Sequence, residues 1–136
     1  MFNGFFQKTY NKISFEDFQN IIKNPKDFII INTLPNTEQE CLIKNTISYQ
    51  TEESRINELL NDYNYTHNFI IYGKNNNDNS VETKASQLSG LGFSNVYIYI
   101  GGLFEWLLLQ DIYGSDEFPT TIRFLDILKF KPSNIL

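Results

Sequence analysis

The chain has 136 residues, the usual size of one domain, and 41% of them are hydrophobic. One cysteine, Cys41, and one histidine, His67, exclude an internal disulfide and the common zinc clusters. A net charge of −5 without clustered Lys or Arg argues against nucleic-acid binding. Because no run of about 18 apolar residues and no charged leader is present, we expect a soluble, cytoplasmic protein with no membrane contact and no cofactor.

The first half of the chain predicts two helices and at least one buried strand. Ser14 and Asp17 form a capping-box pattern at the start of the first helix. Residues 28–31 are a continuous apolar run, which is typical of a strand covered on both faces. Residues 46–49 predict a short edge strand, and residues 51–63 predict a helix with one apolar face.

The second half repeats this alternation. Residues 69–72 and 96–100 predict buried strands, and the helix between them, over residues 81–88, begins with Asn79 as its cap. A short, strongly apolar helix follows at residues 103–110. Strands alternating with helices favour right-handed βαβ units. We therefore expect an α/β fold, a single three-layer domain with a mostly parallel central sheet of about five strands flanked by helices.

The end of the chain, residues 115–136, is called the tail. Its residues 121–128 predict two helical turns. We expect residues 1–114 to form the domain, and the tail to be an extension that packs on the domain or binds a partner.

One segment joins a predicted strand end to a predicted helix start and is called the 73–80 loop. Ligands of open parallel sheets bind at the carboxyl ends of the strands, so this loop is the candidate site. Its backbone N–H groups and the helix start are suited to a small anion such as phosphate. The alternative is that its first residue only has to tolerate positive φ or close packing. The loop consists of Gly73, Lys74, Asn75, Asn76, Asn77, Asp78, Asn79 and Ser80.

Several motifs over residues 13–109 resemble the rhodanese family. Gly92-Phe93-Ser94-Asn95-Val96 looks like the family's "LGF-x-N-V" entry to its last core strand, and residues 101–106 look like its "GG-x-x-x-W". The amino-acid sequence of residues 104–114 and 118–121 is similar to that of rhodanese-like proteins encoded by large DNA viruses of protists. That narrower resemblance implies the host cytoplasm or the virion as the location.

The resemblance also shows what this chain lacks. Active members carry a sulfur-bearing cysteine at the end of the strand equivalent to residues 69–72, and an arginine near the end of the loop. Here Gly73 occupies the nucleophile position, and Asp78, Asn79 and Ser80 stand near the loop's end. Because glycine cannot form a covalent intermediate, the resemblance implies a pseudoenzyme, a catalytically inactive rhodanese-like domain that acts as a protein-binding or structural module.

Two alternatives stay open beside this hypothesis. One is an active sulfurtransferase or phosphatase-like enzyme with Cys41 as a displaced nucleophile, and the other is an anion sensor that uses the 73–80 loop. The binding hypothesis predicts a protein partner or self-association through apolar side chains that the core does not need. The candidate interface residues are Phe104, Trp106, Leu108, Leu109, Phe124 and Leu128.

Overall fold

A computed structural model describes residues 10–136. Residues 1–9, with which the predicted domain begins, lie outside the described residues. Strands and helices alternate along the chain, as the sequence predicts. The elements are β1 (Asn11–Lys12), α1 (Phe15–Lys23), β2 (Phe28–Asn32), α2 (Tyr49–Asn61), β3 (Asn68–Tyr72), α3 (Ser80–Gly90), β4 (Asn95–Ile98), α4 (Gly102–Tyr113) and a 3₁₀ helix (Ile127–Phe130).

The described strands form a four-stranded, fully parallel sheet in the order β1-β4-β3-β2. This confirms the expected parallel α/β architecture, with one strand fewer than about five. The predicted edge strand at residues 46–49 is reduced to a single bridge between Ile30 and Thr46, because Tyr49 already begins α2. The sequence did not reveal β1, which has only two residues, both exposed.

The sheet has helices on both faces. Successive side chains of β2 and β3 alternate between the two faces, as the pleat of a strand requires. The cluster on the α1 and α4 face contains Phe18, Ile22, Ile30, Ile70, Tyr72, Leu103, Trp106 and Leu107. The cluster on the α2 and α3 face contains Ile29, Ile31, Ile56, Leu59, Phe69, Ile71, Val81, Ala85 and Leu88.

The helix starts agree only in part with the sequence patterns. The capping box of α1 is confirmed, because the Asp17 amide donates to Ser14 Oγ at 3.1 Å and the Ser14 amide donates to Asp17 Oδ2 at 3.0 Å. Asn79 is the N-cap residue of α3, as predicted, but its side chain makes no capping hydrogen bond. Instead, the Ser80 amide donates to Asp78 Oδ1 at 3.1 Å.

The tail packs on the domain through residues 118–130. Phe118 and Phe130 are buried, and residue 120 forms an antiparallel bridge with Ile43. The predicted helical turns at residues 121–128 are wrong, and the 3₁₀ helix begins only at residue 127. The reason is that this backbone bonds to another segment, with the Thr121 amide donating to the Leu42 carbonyl at 2.8 Å. No helix within residues 10–136 is long and apolar enough to cross a membrane.

Candidate functional site

The 73–80 loop begins where β3 ends and is folded around the carboxylate of Asp78. The Lys74 amide donates to Asp78 Oδ2 at 2.9 Å, and the Ser80 amide donates to Asp78 Oδ1 at 3.1 Å. The Ser80 hydroxyl contacts the same Oδ1. Asp78 is six residues after Tyr72, the last residue of β3, and its side chain turns back toward that strand end. The loop therefore holds a negative charge that belongs to the chain itself.

Gly73 lies directly beneath this carboxylate and is buried. A Cβ atom added to Gly73 would lie 2.4 Å from Asp78 Oδ2 and 2.7 Å from Val81 Cγ2. Real Cβ atoms essentially never approach other atoms under 3.0 Å. Among the described glycines, those with positive φ are Gly92, Gly102 and Gly114. Close packing, and not an unusual φ, therefore requires glycine at position 73.

The other polar groups of the loop also have partners within the chain. The Asn77 amide donates to Asn75 Oδ1 at 2.9 Å, and Asn75 Nδ2 donates to the Phe130 carbonyl at 2.8 Å. The Lys74 ammonium forms an ion pair with the Glu38 carboxylate at 3.2 Å. Glu38 also pairs with Lys129 of the tail at 3.6 Å. The loop, the segment after β2 and the tail are thus connected by charge and hydrogen bonds.

A cleft of about 360 Å³ opens beside the loop, at the carboxyl ends of β2 and β3. Thr33 lines it from β2's end, and its hydroxyl lies 2.8 Å from the Ser80 hydroxyl. Ser133 lines it from the tail. The sequence did not single out Thr33, Glu38 or the role of Asp78. An aspartate beside a helix start can accept a hydrogen bond from the backbone N–H two residues on, and this Asx-turn pattern was the available signal for Asp78.

The segment after β4 supports the loop from below. The Leu103 amide donates to the Gly73 carbonyl at 2.9 Å, and the Phe104 amide donates to the Lys74 carbonyl at 2.8 Å. Gly102 has a φ of +67°, and a Cβ there would lie 2.7 Å from both the Asn75 amide nitrogen and the Gly73 carbonyl oxygen. The Gly101-Gly102 motif therefore lets the start of α4 approach the loop backbone.

The six candidate interface residues differ in exposure. Trp106 is fully buried, and its Nε1 donates to the Pro119 carbonyl at 3.1 Å, so it belongs to the core. Phe104, Leu109 and Phe124 are half-buried against the same core cluster. Leu108 and Leu128 are exposed. Together with three further exposed residues of α4 and the tail, we call them the α4–tail surface: Leu108, Ile112, Tyr113, Leu125 and Leu128.

Cys41 lies in the core, beneath the tail. Its exposed fraction is 3%, and its Sγ contacts the Ile122 carbonyl at 3.6 Å. Burial raises the pKa of the Cys41 thiol, and hydrogen bonds with Thr120 and Ile122 offset this only in part. A raised pKa keeps a thiol protonated near neutral pH, and the protonated form is a poor nucleophile.

Cation ligands are not grouped in the described structure. Within residues 10–136, no group of three or more His, Cys, Asp or Glu side chains is arranged to hold a metal ion. The carboxylate of the candidate site, Asp78, is engaged by backbone amides instead.

Comparison with known proteins identifies the fold. The yeast protein Ygr203w, described as a protein tyrosine phosphatase of the rhodanese family, is 17% identical with a TM-score of 0.60, over 90% of this chain and 99% of that chain. BH2092 from Bacillus halodurans is 21% identical with a TM-score of 0.59, over 88% and 87% of the two chains. Alr3790 from Anabaena is 17% identical with a TM-score of 0.58, over 86% of each chain. At such identities, these structures show the fold alone.

Sequence comparison gives the family. No curated protein sequence matches the chain significantly. The family model of the rhodanese-like domain matches residues 14–109, more than half of the chain. The matched region includes β2, β3 and β4, the 73–80 loop and the Gly101-Gly102 motif. This chain belongs to the rhodanese-like domain family.

Proposed function

We propose that this chain is a non-catalytic rhodanese-like domain that works by binding a protein. The observation that carries the first half of this proposal is the contact between Gly73 and Asp78. The strand end where the resemblance places a nucleophilic cysteine has no side chain, and a carboxylate occupies the adjoining space. The Asp78 carboxylate accepts hydrogen bonds from backbone amides at a helix start, and its negative charge repels the anionic substrates of sulfur or phosphoryl transfer.

The environment of Cys41 supports the same conclusion. A displaced nucleophile needs an exposed thiol and a group that stabilises its thiolate. Cys41 is buried in the core, and its pKa is raised by that burial. Its position in the core fits an ordinary structural cysteine.

The anion-sensor alternative has less support than a non-catalytic binding role. The amides of Lys74 and Ser80 already donate to Asp78, and the Lys74 ammonium is paired with Glu38. An external anion would compete with a carboxylate that is covalently part of the loop, at a high effective concentration.

The α4–tail surface supports the protein-binding half of the proposal. Leu108 and Ile112 are four residues apart on α4 and therefore lie on one face of the helix. Ile112 is 69% exposed, and Leu125 and Leu128 of the tail are 80% and 63% exposed. Exposed large apolar side chains on α4 and on the tail favour association with another protein surface.

The proposal that the domain is non-catalytic is tested with the purified protein in two assays. One follows thiocyanate formation from thiosulfate and cyanide, and the other follows hydrolysis of p-nitrophenyl phosphate. We expect no turnover above the rate without protein, for the natural sequence and for Cys41→Ser alike. Turnover that disappears in Cys41→Ser would contradict the proposal and identify Cys41 as the nucleophile.

The binding half is tested by comparing two matched variants of exposed residues. Ile112→Asp places a charge in the α4–tail surface, and Tyr63→Asp places one in the turn after α2, where Tyr63 is 80% exposed. We expect the natural chain and Tyr63→Asp to retain the same bound protein in pull-downs from the native source, and Ile112→Asp to lose it. For self-association, light scattering would give a monomer mass for Ile112→Asp alone. Identical behaviour of both variants would contradict the proposal.

A further inference from the structure

We infer that Asp78 is an intramolecular occupant of the 73–80 loop: its carboxylate takes both the space and the backbone donors that a side chain at position 73 would use. This inference rests on the proposed function, because it explains why the strand end carries no reactive side chain. It makes positions 73 and 78 interdependent, so that glycine at 73 is required while aspartate stands at 78.

The space above Gly73 leaves no room for a side chain. The Cβ of any other residue there would lie 2.4 Å from Asp78 Oδ2 and 2.9 Å from Asp78 Cγ. Both distances are under 3.0 Å, so the carboxylate would have to move. It cannot move freely, because the Lys74 and Ser80 amides hold its two oxygens from opposite ends of the loop.

Charge also opposes a reactive side chain at position 73. The start of α3 and the loop amides favour one negative charge at this place. Asp78 supplies that charge through hydrogen bonds of 2.9 and 3.1 Å. A thiolate at position 73 would face the carboxylate as a like charge and would find these donors already used. Asp78 would therefore oppose the ionisation of such a thiol as well as its fit.

A second neighbour provides a matched control. Val81 Cγ2 would lie 2.7 Å from a Cβ at position 73, so it also opposes a side chain there. Val81 carries no charge and donates no side-chain hydrogen bond. If the Asp78 carboxylate matters for more than its volume, shortening Asp78 and shortening Val81 will have different effects on a thiol at position 73.

The experiment uses Gly73→Cys in a Cys41→Ser background, so that the protein has a single thiol. Asp78→Ala or Val81→Ala is then added. The rate of alkylation by iodoacetamide is measured against pH; the thiolate sulfur forms a thioether and iodide leaves. We expect Asp78→Ala to lower the thiol pKa by about one unit or more, because it frees the amides and removes the like charge. We expect Val81→Ala to leave the thiol pKa unchanged.

Thermal melting covers the case in which Gly73→Cys does not fold. Gly73→Ala is then compared in the natural, Asp78→Ala and Val81→Ala backgrounds. We expect the loss of melting temperature caused by Gly73→Ala to be smaller in Asp78→Ala than in the natural background. An equal loss in those two backgrounds, or an equal thiol pKa with and without Asp78, would overturn the inference.

These outcomes are separate from a failure of the proposed function. Turnover by the natural chain would overturn the non-catalytic proposal, whatever the variants do. An unchanged thiol pKa in Asp78→Ala would overturn the role of Asp78, even if the natural chain has no activity.

Discussion

The 73–80 loop and the segment after β4 lie against each other at one edge of the sheet, and only the second keeps the full family motif. The segment after β4 is held in place by the close backbone approach at Gly102 and by the buried ring of Trp106. The loop has Gly73 where the resemblance places a cysteine. The Leu103 amide bonds to the Gly73 carbonyl, which every residue type possesses. The contacts that hold this edge therefore do not depend on the side chain that would do the chemistry.

Substitutions in these two regions are therefore expected to differ in their effect on the free energy of unfolding. The segment after β4 is anchored in the core, whereas most of the 73–80 loop is exposed or half-exposed. Substitutions after β4 are expected to lower the free energy of unfolding. Substitutions at the exposed and half-exposed positions of the 73–80 loop, which we call the outer loop, are expected to change it little.

The largest effect is expected from Trp106→Ala. Trp106 is fully buried against Phe18, Tyr99 and Phe118, and its indole N–H bonds to the Pro119 carbonyl. Removing such a ring costs about 3–5 kcal/mol of the free energy of unfolding, through lost burial and the cavity left behind. Urea denaturation measures it. Ile112→Ala, on the exposed part of the same helix, is the control, with an expected change of less than about 1 kcal/mol.

The second effect tests the close approach between the two regions. Gly102→Ala places a methyl group 2.7 Å from the backbone of the loop, at a φ of +67°. We expect a loss of about 2–3 kcal/mol, because the left-handed conformation and the steric overlap both oppose alanine. Gly90→Ala is the matched control, since a Cβ there meets nothing within 4 Å. It should stabilise the helix by up to about 1 kcal/mol, and an equal loss in both variants would contradict the steric explanation.

The third prediction concerns two buried tyrosines, Tyr72 at the end of β3 and Tyr99 directly after β4. Burial raises the pKa of Tyr72 above its ordinary value of 10.0, and burial together with the Glu105 carboxylate raises that of Tyr99. Above pH 10 the unfolded state loses phenol protons that the folded state keeps, so this stability is complete below pH 10 and falls as pH rises. The slope grows as pH rises through 10 and approaches about 1.4 kcal/mol per pH unit for each tyrosine well above pH 10.

Urea denaturation between pH 9 and 11 measures this slope. Tyr72→Phe and Tyr99→Phe should each make it shallower, because phenylalanine has no proton to lose. Tyr63→Phe, at an 80% exposed position, should leave the slope unchanged. A slope that is insensitive to both buried tyrosines would show that other groups govern unfolding at alkaline pH.

Much of the fold could be predicted because its signals are local. The apolar runs of β2 and β3 report burial on both faces, and the Ser14–Asp17 pattern specifies its own hydrogen bonds. Elements that are defined by tertiary contacts could not be predicted from the sequence. Residues 121–128 have a helical pattern but do not begin a helix at residue 121, because this backbone pairs with the segment after β2. β1 has no apolar pattern, so only its pairing with β4 defines it.

The candidate site could be predicted less completely. The family motifs located Gly73, but the contact between Gly73 and Asp78 depends on the path of the loop, which no spacing rule gives. Asn79 and Asp78 are both residue types that accept hydrogen bonds at helix starts, and only the geometry of the loop shows that the Asp78 side chain accepts from the Ser80 amide. Trp106 could not be separated from Leu108 by sequence, because a strongly apolar helix does not reveal which face meets the core.

The smallest effect is expected in the outer loop, where Asn75 joins the loop to the tail. Asn75→Ala removes the hydrogen bond to the Phe130 carbonyl and the acceptor of the Asn77 amide, which are partly or fully exposed to water. We expect a loss of about 1 kcal/mol in urea denaturation, since water replaces much of what is lost.

Asn76→Ala is the matched control for this change, because Asn76 is exposed and adjacent, and it should alter stability by less than about 0.5 kcal/mol. If Asn75→Ala instead cost as much as Gly102→Ala, the comparison between the two regions would be reversed. The bond between loop and tail, and not the close approach of α4, would then hold this edge of the sheet together. A small effect would mean that the exposed residues of the loop can change at little cost to folding, while the close approach at Gly102 maintains the fold.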